Sequence, residues 1–201
     1  LFEEEKIILR QTSDNIRATY DTNSFYVIES ILVFKKDKSS SFKYEYILAI
    51  LNSSIVEFLY RKFTQEVGRT FAQVKPLNVR KLYIPNASEN SQHIVSILVN
   101  YLLNINNLDE DFILIRSYLE SILDVISLEL FLPKEIEIAQ KQIIKYLHDI
   151  KSIQSQMSNE EIISTIQSEF ERLYDPNHPV RNIVETIDSI PEVRTIKEAL
   201  K

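Results

Sequence analysis

The sequence predicts an α+β protein: a small antiparallel β-sheet packed with helices over residues 1–85, followed by an all-helical region over 86–201. Three observations carry this. Short apolar, β-branched runs separated by polar turns occupy the first 34 residues, and the apolar spacing then lengthens to the three or four of a helix. Charge changes sign between the two parts: residues 1–85 hold 13 Lys and Arg against 10 Asp and Glu (+3), and residues 86–201 hold 10 against 19 (−9), giving the net −6.

Taken in order, KIILRQ from Lys6, a TSDN turn, IRATY, a DTNS turn and FYVIESILVF read as an antiparallel meander. In the last run Phe25, Val27, Ile31 and Val33 share one face, and Tyr26, Ile28, Leu32 and Phe34 the other. That pattern predicts a central strand covered on both sides, with Glu29 and Ser30 at a bulge or polar edge. Residues 43–63 carry a helical stripe at Ile47, Leu51, Ile55 and Leu59, with Ile50 and Phe58 beside it. Asn52, Ser53 and Ser54 compete with the helical backbone for hydrogen bonds and predict a kink or a break there. The only glycine, Gly68, opens GRTFAQVKPLNVRKLYIP, where it lets the chain turn or approach another group closely. Pro76 to Pro85 then reads as a short helix and strand, with Leu77, Val79, Leu82 and Ile84 in the core.

Beyond Pro85 everything reads as helix. Asp109, Glu110 and Asp111 open a long one carrying Phe112, Ile115, Leu119, Ile122, Ile126 and Leu130 up to Pro133. A second is predicted from about 134 to 156 through Ile136, Ile143, Leu147 and Ile150. Ser158 and Glu161 form a capping box for a third, with Ile162, Ile166, Phe170 and Leu173. DPNHP at 175–179 stops it, and shorter helices fill 180–190 and 192–200, making a bundle or a helical arm.

Composition excludes several chemistries. There is no cysteine, hence no disulfide, zinc–thiolate site or cysteine nucleophile, and a cytoplasmic setting is the expectation. No apolar run approaches the roughly 18 residues of a membrane span, and LFEEEK lacks the character of a signal peptide. One glycine cannot build a GxGxxG, GxxxxGK[ST] or GxSxG motif. His93, His148 and His178 are scattered without metal-ligand spacing, and the carboxylates at 109–111 and 160–161 are explained by helix opening. No PD…ExK core is present, so no catalytic residue and no metal ligand is assigned to this segment. The chain begins at Leu1 and its only Met is Met157, which leads to the expectation that it is part of a longer polypeptide.

The basic half supplies the binding candidates. Phosphate contacts require Lys and Arg, and base-edge contacts add Gln, Asn and Thr. The candidate DNA-binding residues are Arg10, Arg17, Arg61, Lys62, Arg69, Thr70, Gln73, Lys75, Arg80 and Lys81. In sequence order LRQTSDNIRATYD, FYVIESILVFK, YILAILNSSIVEFLYRKF and GRTFAQVKPLNVRKLYIP resemble the TaqI-like C-terminal specificity domain, the target-recognition region of adenine-specific DNA methyltransferases and of fused type IIG restriction-modification enzymes. The most specific pieces are Ile50-Leu51-Asn52-Ser53, the phrase TFAQVK at 70–75 and LYIP at 82–85, where the family usually ends in LPIP. Residues 4–85 are covered well; SILDVISLELF at 121–131 is only loosely similar to the helix that follows such domains.

What the resemblance implies is a division of labour. An upstream methyltransferase domain binds S-adenosylmethionine and flips the target adenine into an NPPY pocket, while the recognition domain reads flanking bases. This chain has no Pro-Pro pair and so no NPPY; it is expected to be non-catalytic and to hold no cofactor, with S-adenosylmethionine, and Mg2+ where a nuclease is fused, belonging to the parent enzyme. The expected partners are double-stranded DNA and the upstream methyltransferase domain, with no membrane. In the LNS match Asn52 and Ser53 are read as shaping the helix rather than touching DNA. The alternative reading is a helical scaffold within a restriction-modification complex, docking a partner through the −9 half without direct DNA contact.

Overall fold

The computed structural model describes residues 3–64, 72–106, 108 and 110–201. Three strands, β1 (Lys6–Arg10), β2 (Ala18–Asp21) and β3 (Ile31–Phe34), form an antiparallel sheet in the order β2-β1-β3. β1 pairs with β2 through Ile7 opposite Tyr20 and Leu9 opposite Ala18, and with β3 through Ile7 opposite Phe34 and Leu9 opposite Leu32. The N-terminal sheet followed by helices is the α+β architecture that the sequence predicts.

The predicted meander is corrected. In a meander β2 would be central, whereas β1 holds that place and β3 is an edge. The chain leaves β2 at Asp21 and crosses back over the sheet through residues 22–30 before pairing again. FYVIES belongs to this crossover, which is why Phe25, Tyr26 and Ile28 are exposed at 58%, 77% and 74% instead of buried in a central strand.

Two helices replace the single predicted stripe: α1 (Tyr44–Leu51) and α2 (Ser54–Thr64), broken at Asn52-Ser53 as the hydrogen-bonding competition there predicts. α1 lies under the sheet, with Tyr20 stacked on Tyr44 and Tyr46 buried beside Phe42. A single turn, α3 (Pro76–Val79), follows. Val79 is buried and Leu82 and Ile84 pack against the core, but Leu77 is 67% exposed, because a four-residue helix turns only one side inward. No strand forms over 82–85. That stretch is held instead by the buried Tyr46 hydroxyl donating to the Pro85 carbonyl at 2.8 Å.

Helices dominate the rest of the described chain: α4 (Glu89–Ile105), α5 (Ile113–Phe131), α6 (Pro133–Ile138), α7 (Asn159–Leu173), α8 (Pro179–Thr186) and α9 (Pro191–Ala199). Ser88 caps α4 by accepting from the Ser91 N–H, and the Ser158–Glu161 capping box opens α7 as predicted. The predicted helix over 134–156 is also corrected. α6 ends at Ile138 in a turn with Gln140 at φ 56°, where Lys141 N–H bonds the Ile136 carbonyl at 3.0 Å and Gln140 N–H the Glu137 carbonyl at 3.0 Å. This is a Schellman closure made without glycine. Glu129 of α5 then accepts the N–H groups of Ile143 (2.6 Å) and Ile144 (3.1 Å), so a largely irregular segment with a single 3-10 turn (Ile144–Tyr146), not a continuous α-helix, buries Ile143, Leu147 and Ile150.

One hydrophobic core runs from Ile7 to Ile196 and does not stop at residue 85. α1 packs on α4 and α5, and α2 on α5 and α9. No helix among the described residues is long and apolar enough to cross a membrane.

Candidate nucleic-acid interface

The site is built at one end of the sheet, where β1 finishes and β2 begins. Arg10 is exposed at the end of β1 and Arg17 is exposed just before β2; the Arg10 N–H donates to the Arg17 carbonyl at 3.1 Å. Since Leu9 and Ala18 face each other toward the core, strand alternation turns both arginines to the opposite face, side by side. Gln11 then joins three segments: its N–H donates to the Ser30 carbonyl at 2.8 Å, and its carbonyl accepts the Val74 N–H at 2.8 Å. Val74 is buried, leaving its neighbours Gln73 and Lys75 exposed beside the arginines. The Lys75 N–H reaches the buried Tyr60 hydroxyl at 3.4 Å, which brings the end of α2 to the same place.

The remaining candidates divide. Lys62 is exposed, its ammonium 5.3 Å from the centre of the Phe58 ring. Arg80 and Lys81 are exposed on the turn that ends α3. Arg61 is turned inward: it pairs with Glu57 one helical turn earlier and donates to the Leu200 carbonyl at 3.4 Å. Arg69 and Thr70, with Gly68 between α2 and Ala72, lie outside the described residues.

A contrast among arginines distinguishes the two halves. The guanidinium groups of Arg10, Arg17 and Arg80 have no hydrogen-bond or ion-pair partner among the described residues. Every arginine of the helical half is engaged: Arg116 with the Asn106 carbonyl (3.1 Å), Arg172 with Glu169 (2.7 Å) and Asp149 (3.3 Å), Arg181 with Glu185 (2.7 Å) and Arg194 with the Asp188 carbonyl (3.2 Å). Two unpaired like charges on opposed strand positions repel each other, a cost that an anion lying across them removes.

The frame behind this end is fastened by groups that sequence reasoning did not single out as such. Asn52, between α1 and α2, accepts the Ala18 N–H and donates to the Ala18 carbonyl, both at 3.0 Å. Asp124 of α5 accepts the Ser54 N–H (2.7 Å) and hydroxyl (2.9 Å) and so caps α2. Burial raises the Asp124 carboxyl above its ordinary value, against the lowering effect of those two hydrogen bonds. At the other end of β1, Lys6 and Asp21 form a buried ion pair, and Asp21 also accepts the N–H groups of Asn23 (2.8 Å) and Phe25 (3.0 Å). No residue spacing announces such long-range partners, although Asn52 lies in the Ile50-Leu51-Asn52-Ser53 motif. Among the described residues no group of three or more His, Asp or Glu could hold a metal ion. His178 accepts the Val180 N–H and caps α8.

Residues 1–84 match the family model of the TaqI-like C-terminal specificity domain. The matched family is the target-recognition part of restriction-modification enzymes, a specificity domain and not a catalytic one. No curated protein and no solved structure matches the chain. The specificity-domain match ends at Ile84, beside the Pro85 whose carbonyl Tyr46 holds, and it covers the arginine-bearing end of the sheet as a whole.

Proposed function

We propose that this chain is the DNA sequence-recognition part of a restriction-modification enzyme, holding target DNA for an upstream adenine-N6 methyltransferase domain of the same polypeptide, with or without a fused nuclease. The observation that carries the reading is the set of exposed, unpartnered Arg10, Arg17 and Arg80 within the segment that matches the specificity domain. Arg10 and Arg17 contact neighbouring backbone phosphates, one each, Lys75 and Lys62 extend the positive track, and Gln73 is the described candidate for a base edge. Adenine methylation, with its S-adenosylmethionine, belongs to the upstream domain in the cytoplasm; no step of it falls to residues described above.

The test is binding of the chain to duplex DNA over a range of salt concentrations. Affinity falls with salt, and Arg10→Ala, Arg17→Ala and Arg80→Ala each weaken it and lower the slope of log K against log salt by about 0.9 per lost phosphate contact. A second reading, a scaffold that docks a protein partner, draws on the exposed Phe25, Tyr26 and Ile28 of the crossover. Salt-independent or absent binding, with no change on reversing the charges at Arg10, Arg17 and Arg80, would favour the scaffold.

A further inference from the structure

We propose that Asn52 is a positioning residue for DNA contact: its side-chain amide, bonded to the free edge of β2 at Ala18, holds Arg17 across from Arg10. The inference rests on the DNA-recognition reading above and adds to it a residue that does not touch DNA.

Among the described residues β2 pairs with β1 alone, and since the Arg10 N–H bonds the Arg17 carbonyl, ladder alternation turns the N–H and C=O of Ala18 to the open side of β2. An unpaired strand end carrying two opposed like charges is prone to fray, because separating the strands relieves the repulsion. The Asn52 amide occupies the place of a third strand's peptide unit. Its oxygen accepts the Ala18 N–H and its nitrogen donates to the Ala18 carbonyl, each at 3.0 Å, and only this orientation of the amide satisfies both partners. Arg17 is the residue immediately before the clamped one.

The clamp is itself anchored. Asn52 ends α1 at φ −90° and ψ 2°, with its N–H on the Leu48 carbonyl at 3.1 Å. The next residue, Ser53, is buried and donates its hydroxyl to the Ile50 carbonyl at 2.7 Å. Ser54 is capped by Asp124 from the helical half. The amide is thus fixed from both sides before it meets β2, and the ordering cost of presenting two guanidinium groups at one spacing is met during folding instead of during binding. Asn52 is exposed, so its replacement removes the clamp without opening a core cavity.

The test is a double-mutant cycle on the full chain, reading affinity for a fluorescently labelled mixed-sequence duplex, its salt slope, and thermal unfolding. Arg17→Ala is expected to weaken binding and lower the slope by about 0.9, one phosphate contact. Asn52→Ala should lower the slope by a similar amount, and the double variant should bind no more weakly than the weaker single one. Ser127→Ala, which removes a buried hydroxyl bonded to the Leu123 carbonyl in α5 and does not touch the α1–α2 joint, should lower the melting temperature and leave the slope unchanged. Additive losses in the cycle, or an unaltered slope in Asn52→Ala beside a reduced one in Arg17→Ala, would overturn the positioning role alone. An unaltered slope in Arg17→Ala would remove Arg17 from the DNA and the reason for the clamp, and absence of salt-dependent binding by the unaltered chain would overturn the DNA reading itself.

Discussion

Lys6 and Asp21 sit opposite one another on β1 and β2, both shut off from solvent. Two buried charges are tolerated because each answers the other and because Asp21 spends its remaining capacity on the N–H groups of Asn23 and Phe25, fixing the start of the crossover. Burial works against the charged Asp21, but the bonds from Lys6, Asn23 and Phe25 outweigh it, and its carboxyl lies below the ordinary value. The stabilisation is therefore in place above the unfolded carboxyl value of about 3.9 and is lost as pH falls through the lower native value. Asp21→Asn, which removes one charge of this buried pair, should cost roughly 3–5 kcal/mol in urea unfolding at pH 7 and flatten the acid end of the stability profile. Lys6→Met with Asp21→Leu should recover the ion-pair part but not the turn, staying about 1–2 kcal/mol below the unaltered chain. A single Asp21→Asn variant as stable as the parent at pH 7 would contradict this account.

At the level of elements, the end of α6 and the start of α2 invite opposite substitutions. Gln140 occupies the left-handed position of the Schellman turn, where a Cβ is disfavoured, so Gln140→Gly should raise stability by about 0.5–1 kcal/mol. Asp124→Ala, removing the cap on α2, should lower it by roughly 1–2 kcal/mol, with Asp124→Asn costing less because an acceptor remains. The raised Asp124 carboxyl has the reverse pH sign to Asp21: ionisation opposes folding at neutral pH, and that penalty shrinks as pH falls through its native value. These elements also show what the sequence can carry. Periodicity placed α5, the Ser158–Glu161 box announced α7, and the Asn52-Ser53-Ser54 competition announced the break between α1 and α2, because each signal is local. Ile136, Ile143, Leu147 and Ile150 have helical spacing, so the segment after α6 reads as helix; its actual course depends on Glu129, whose bond to Ile143 spans 14 residues. The meander failed for the same reason. Pairing order is decided by which strand the core selects, and a ten-residue apolar run does not say which half of it enters the sheet. Of the site, the arginines of the basic half were legible from charge, but their freedom was not, since Arg61 and Arg10 look alike until Glu57 and Leu200 claim one of them.

For the whole molecule the boundary near residue 85 separates charge and family resemblance, while the hydrophobic core passes through it. α1 and α2 belong to the matched segment, yet the faces they bury meet α4, α5 and α9, and the cap of α2 comes from Asp124. Cutting after Pro85 would expose those faces at about 1.5–3 kcal/mol for each large aliphatic side chain. Four or five such side chains already match the roughly 5–15 kcal/mol by which a domain is stable. The fragment 1–85 is therefore expected to lack a cooperative thermal transition and a dispersed amide NMR spectrum, while the 201-residue chain shows both. On the proposed DNA-recognition reading, the helical half, at −9, repels phosphate at its own surface and contributes from behind, by completing the core under the sheet and by holding the α1–α2 joint that clamps β2. A folded 1–85 fragment that binds DNA with the salt slope of the full chain would refute it, and would make the limit of the specificity domain a limit of folding as well.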